Sequence, residues 1–176
     1  MWVFIGILVA VIALGAGPII WIRPSPRQKQ VAGYRLKAAQ LGLRVKLVSL
    51  KSIGISQEIL SVKDGLPFYG IAWDLTNDLE KAFAKELAHE SWCLAKGTYE
   101  HGTHFMGIWD WGTSKKADEK IHSSLKEFIA SLPDDVIACE CSGQGLALGW
   151  LEKGKVERVD ELALLLKKFK ETCLGS

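Results

Sequence analysis

The residue types most able to do chemistry in this chain are His89, Cys93, His101 and His104, with Cys139 and Cys141 further on. Imidazole nitrogen and thiolate sulfur are ligands that zinc accepts, and His89 and Cys93, four residues apart, would share one face of a helix that carried both. The spacing fits no zinc finger. Cys139-Glu140-Cys141 lacks the two-residue spacer of a zinc knuckle, and on a strand both thiols would turn to one face together with Ile137. We therefore expect apolar core cysteines and surface histidines, with no metal and no other cofactor.

Gly143-Gln144-Gly145 followed by Gly149 invites comparison with a nucleotide-binding loop. That fingerprint requires glycine at position 148, where Leu148 stands, and a helix where a strand is expected. No Walker A motif and no Gly-x-Ser-x-Gly elbow occurs either. Asp110 between Trp109 and Trp111 would be an acid beside aromatic rings, but strand alternation turns it to solvent while the indoles pack inward. Trp73, Trp92, Trp109, Trp111 and Trp150 could line a groove; use in the core is the expectation.

These residues depend on the elements that carry them. Ser25 can cap a helix with Pro26 at its first position, running to about Leu41, and Gly42 then ends it. Residues 43–50 alternate as a strand does, 54–65 read as irregular, and a second strand over 68–74 places Tyr69, Ile71 and Trp73 on one face. Asn77 and Glu80 have the spacing of a capping box for the next helix. Residues 92–103 give no clear pattern. A third strand is expected over 104–111, with Phe105, Trp109 and Trp111 on one side, and a helix over about 114–132. Val136 to Ser142 and Leu146 to Leu151 form a hairpin. The last helix begins near Val156, with Val159, Leu162, Leu166 and Phe169 inward and Lys167, Lys168 and Lys170 near its end. Strands and helices mixed without regular alternation imply an α+β class: a mostly antiparallel sheet packed against helices.

Residues 1–22 of this 176-residue chain contain no charged side chain. At about 1.5 Å per residue, a helix of that length covers the ~30 Å hydrocarbon core of a bilayer. Trp2 and Trp21 would then place one indole at each interface. Residues 23–51 hold Arg23, Arg27, Lys29, Arg35, Lys37, Arg44, Lys46 and Lys51 with no acid, leaving 14 basic and 20 acidic residues from Ser52 onward. No positive charge precedes the apolar stretch, which argues for an anchor over a cleaved signal peptide, and the positive-inside rule puts the C-terminal side in the cytoplasm. Three parts are expected: a transmembrane helix over 1–22, a basic juxtamembrane helix and first strand over 23–51, and the rest of a cytoplasmic domain over 52–176. Trp2, Trp21, Arg23, Arg27, Lys29, Arg35 and Lys37 are the expected membrane-interface residues, contacting anionic headgroups. The near balance of charge over the whole chain argues against nucleic acid as a partner.

The run Trp21-Ile22-Arg23-Pro24-Ser25-Pro26-Arg27-Gln28-Lys29-Gln30, followed by Leu41-Gly42 and a valine-rich strand, resembles the start of YajC, the small accessory subunit of the bacterial preprotein translocase. The resemblance covers about residues 1–48. As a whole the chain looks like the uncharacterised single-pass inner-membrane proteins of gammaproteobacteria that share this beginning. The resemblance implies a bacterial inner membrane and an N-out, C-in topology. The sequence thus points to a membrane-anchored, non-catalytic protein-interaction module. A metal-dependent or hydrolytic enzyme built on the histidines and cysteines, or a translocase accessory component, is the alternative.

Overall fold

The structure is a computed structural model that describes residues 1–7, 24–49, 65–97 and 105–175. The chain divides into two compact units, residues 1–33 and 34–176.

In the first unit residues 2–7 are helical, and Met1, Trp2, Val3 and Phe4 are all strongly exposed. Helix α1 (Pro26–Gln40) begins on a reciprocal cap: the Gln28 N–H donates to Ser25 Oγ while the Ser25 N–H donates to Gln28 Oε1. Two amide donors that a helix start leaves without partners are satisfied in this way, and Pro26 loses nothing at its first position. Residues 8–22 of the expected 1–22 span lie outside the described residues. Among those described, no helix is long and apolar enough to cross a membrane.

The second unit is α+β. Its strands are β1 (Arg44–Val48), β2 (Leu66–Ala72), β3 (Trp92–Lys96), β4 (Trp109–Trp111), β5 (Val136–Ser142) and β6 (Gly145–Trp150), in the order β1-β2-β6-β5-β3-β4. Every pairing is antiparallel. The second half of α1, together with α2 (Asp78–Leu87), α3 (His122–Ala130) and α4 (Arg158–Leu174), buries its apolar residues in a single cluster on one sheet face. Tyr34 and Ala38, Leu125, and Leu162 and Leu166 are almost wholly enclosed there with Tyr69, Leu148 and Trp150. Phe128 and Phe169 stack at 4.1 Å between centroids and join α3 to α4. Leu66, Phe68, Cys93, Ala95, Ile137 and Ala138 form a smaller cluster on the opposite face, to which no described helix contributes.

Several expectations require correction. The strand foreseen over 104–111 is only Trp109–Trp111; Met106 and Trp109 close a tight turn in which Gly107 takes a positive φ, so Phe105 precedes the strand. Its neighbour β3 lies in the stretch without clear pattern, because four consecutive buried residues, Trp92 to Ala95, leave no polar alternation to read. The helix foreseen over 114–132 starts later. The Asp118 carboxylate accepts the Lys120 N–H and holds a 3₁₀ turn over Glu119–Ile121 ahead of α3. Ile137 does not share a face with Cys139 and Cys141: a register shift between Val136 and Ala138 inserts one extra residue, which puts Val136 with the two thiols and Ile137 opposite. Helix α4 runs a turn beyond Lys170, so its lysines do not sit at its end. The expected irregular 54–65 stretch lies outside the described residues apart from Gly65.

Candidate functional site

The metal-binding alternative does not assemble among the described residues. Helix α2 ends at Leu87, leaving His89 exposed beyond it, while Cys93 is buried on β3. The two therefore share no helix face. Cys139 and Cys141 point into the helix-covered core and Cys93 points to the other face. His101 and His104 lie outside the described residues, and no cluster of three potential ligands occurs among the rest. Burial pushes the Cys93 and Cys173 thiols up to about 12 and raises those of Cys139 and Cys141 well above their ordinary value. A thiol so held is a poor nucleophile and a poor metal ligand. Trp73, Trp92, Trp109 and Trp150 are buried, as expected, and Trp111 packs against the same core. Asp110 accepts the Trp111 N–H with its own carboxylate.

Of the expected membrane-interface residues, Trp2 is exposed on the 2–7 helical stretch, and Arg27 and Lys29 are exposed on α1. Trp21 and Arg23 lie outside the described residues. Arg35 and Lys37 are placed differently from Arg27 and Lys29. Arg35 pairs with Glu152 at 3.2 Å and Lys37 with Asp160 at 3.0 Å, so the acids missing from the basic segment come from distant parts of the chain. Glu152 is buried at a positive φ and also accepts the Tyr69 hydroxyl at 2.7 Å. Burial, then Glu152, raises the Tyr69 phenol well above its ordinary value. The Tyr34 hydroxyl donates to the Gly154 carbonyl. The Arg35 and Tyr34 bonds fasten the second half of α1 to the loop after β6, and the Lys37–Asp160 pair ties it to α4. A more enclosed pair, Glu80 with Lys170 at 2.6 Å, ties α2 to α4. Glu80 there accepts the Asp74 N–H, where a capping box would have it accept that of Asn77.

The most site-like feature lies on the sheet face to which no described helix contributes. Arg44, Gly70, Ala147 and Glu140 are successive register partners across β1, β2, β6 and β5. Three strand spacings of about 4.8 Å separate the two ends of that row. Between them stand only a hydrogen and a methyl group, so Lys46, from the next row, reaches across to Glu140 at 3.1 Å. Close packing of the strands makes the small residues obligatory: a Cβ on Gly70 would stand 2.8 Å from the Leu146 carbonyl oxygen and 2.9 Å from the Ala147 methyl. The result is a trough of about 280 Å³ with Phe68, Gly70 and Ala147 in its floor and Arg44, Lys46, Glu140, Ser142 and Gln144 around it. The Arg44 side chain makes no ion pair or hydrogen bond among the described residues. The trough therefore offers an apolar floor, a guanidinium without an ion-pair partner among the described residues, and the part-exposed Lys46–Glu140 pair. Sequence reasoning missed it. Arg44 and Lys46 read only as part of a basic run, and Lys46 and Glu140 are 94 positions apart.

Fold and surface define an antiparallel α+β domain with all its described helices on one side and a charged trough on the other. No protein-family model, curated protein or solved structure matches the chain.

Proposed function

We propose that this protein is a single-pass bacterial inner-membrane protein whose cytoplasmic α+β domain is a non-catalytic interaction module, engaging a protein partner through the trough and the adjoining edge of the sheet. The observation that carries the interaction reading is the trough: Arg44, whose side chain has no ion-pair partner among the described residues, and a Lys46–Glu140 pair stand over an apolar floor on the face to which no described helix contributes. Exposed polar groups around an apolar centre are how protein interfaces are built. The membrane part of the reading is supported by residues 1–22, which lack any charge, and by the exposure of Met1, Trp2, Val3 and Phe4. Exposed apolar groups of that size on a helical stretch suit a lipid surface. The basic run from Arg23 onward supports the N-out, C-in orientation and contact of Arg27 and Lys29 with anionic headgroups. The resemblance of residues 1–48 to the translocase accessory subunit makes the translocon the first partner to look for.

A photo-crosslinking amino acid placed at Gln144, on the trough rim, tests the interaction reading in native membranes. Leu164, exposed on α4, is the control position. Discrete protein adducts from position 144 and none from 164 are expected; adducts from neither, or the same adducts from both, would overturn it.

A further inference from the structure

Strand β1 stands at the edge of the sheet, paired with β2 on one side and with no described strand on the other. An edge strand presents backbone N–H and C=O groups that can pair with another chain. Its side chains alternate in chemistry as well as direction. Arg44 and Lys46 turn to the trough, while Val45 and Leu47 turn to the helix-covered side, where Leu47 remains 58% exposed.

We infer that β1 accepts, as an added strand, an extended segment of a partner protein in which acidic residues alternate with apolar ones. This rests on reading the domain as an interaction module and names the chemistry of the partner. In such a pairing the backbone hydrogen bonds supply affinity and the alternate side chains supply specificity. An acid on the trough side meets the exposed Arg44 guanidinium, which is shaped for a bidentate carboxylate contact. A second acid two residues along shares Lys46 with Glu140. The apolar residue between them lies over Val45 and Leu47. Charge also argues against a second copy as the occupant, since pairing β1 with itself would bring the Arg44 and Lys46 cations of both chains onto one face.

The experiment uses the full chain in detergent micelles and a fluorescent peptide of alternating glutamate and valine. Three comparison peptides separate the possibilities: one of the same composition with glutamates and valines in blocks, and two carrying N-methyl groups on alternate amides, in either frame. The alternating peptide should bind. One N-methyl frame should weaken it about tenfold or more, because it removes the hydrogen bonds donated to β1, and the other should not. The Arg44→Glu variant should weaken binding by a similar factor and gain binding to an alternating lysine and valine peptide. The Arg44 side chain is exposed and has no ion-pair partner among the described residues, so this variant should leave the fold intact. Equal binding of the block peptide or of both N-methyl frames would reduce the effect to charge attraction and overturn strand addition. Absence of any peptide binding would overturn it too. If crosslinks from Gln144 persist in that case, the interaction module stands and only the strand chemistry is wrong; if they are also absent, both readings fall.

Discussion

At the scale of single residues, what holds this domain together is a small set of buried polar contacts within a large apolar core. Glu152 is the sharpest case. Its carboxylate is enclosed, sits on a residue with positive φ, and binds both Tyr69 and Arg35. Removing it by Glu152→Ala leaves a buried hydroxyl and a part-buried guanidinium without that acceptor, and should cost about 3 kcal/mol in urea unfolding. Tyr69→Phe removes one donor and should cost about 1 kcal/mol. A smaller loss from Glu152→Ala than from Tyr69→Phe would contradict this arrangement.

The thiols make a second prediction at this scale. All four cysteines are buried, and burial raises each above the ordinary value of 9.0, Cys93 and Cys173 to about 12. A native group that keeps its proton longer than the unfolded chain stabilises the fold fully below the unfolded value and loses that contribution as pH rises through the native one. The midpoint of urea unfolding should therefore hold from pH 7 to about 8.5 and fall between about 9 and 12. In the native protein at neutral pH, none of the four should react with iodoacetamide on the timescale of the unfolded chain. Rapid labelling of Cys139 or Cys141 would show the core to be open.

At the scale of elements, helices and turns with local signals were readable and strands defined by their neighbours were not. Ser25 with Pro26 marked the start of α1, Asn77 that of α2, and the inward stripe of α4 follows from its spacing. Strand β3 escaped because it is buried along its length between β5 and β4. The side on which Ile137 falls depends on one extra residue in β5, and a bulge leaves no mark in a hydrophobicity pattern. Likewise the trough exists only because the sheet order brings Gly70 beside Ala147 and aligns Arg44 with Glu140. No local window contains that information. Gly149 tests how tightly these strands approach. A Cβ there would meet Leu66 Cδ2 at 2.5 Å and the Ala138 methyl at 2.9 Å, so Gly149→Val should lower unfolding stability by about 1–3 kcal/mol. Stability equal to that of the parent chain would show that the sheet has slack the packing does not suggest.

At the scale of the whole molecule, the residues of the basic segment differ in whether they pair with distant acids. Arg35 and Lys37 are drawn to Glu152 and Asp160, acids supplied by the second unit, and belong to its stability. Arg27 and Lys29 lie in the first unit and are exposed on α1, and the proposed membrane reading assigns them to orientation and headgroup contact. Replacing Arg23, Arg27 and Lys29 by glutamine should therefore disturb membrane orientation without lowering urea stability, whereas Arg35→Gln should lower stability by about 1 kcal/mol and spare orientation. The central claim, an anchored chain whose folded domain lies in the cytoplasm, meets its most direct test in paired reporters fused after Ser176. We predict fluorescence from a reporter that folds only in the cytoplasm, no activity from alkaline phosphatase at the same position, and retention of the chain in membranes washed at alkaline pH. Phosphatase activity at that position, or recovery of a chain shortened near Ala16, would contradict the account.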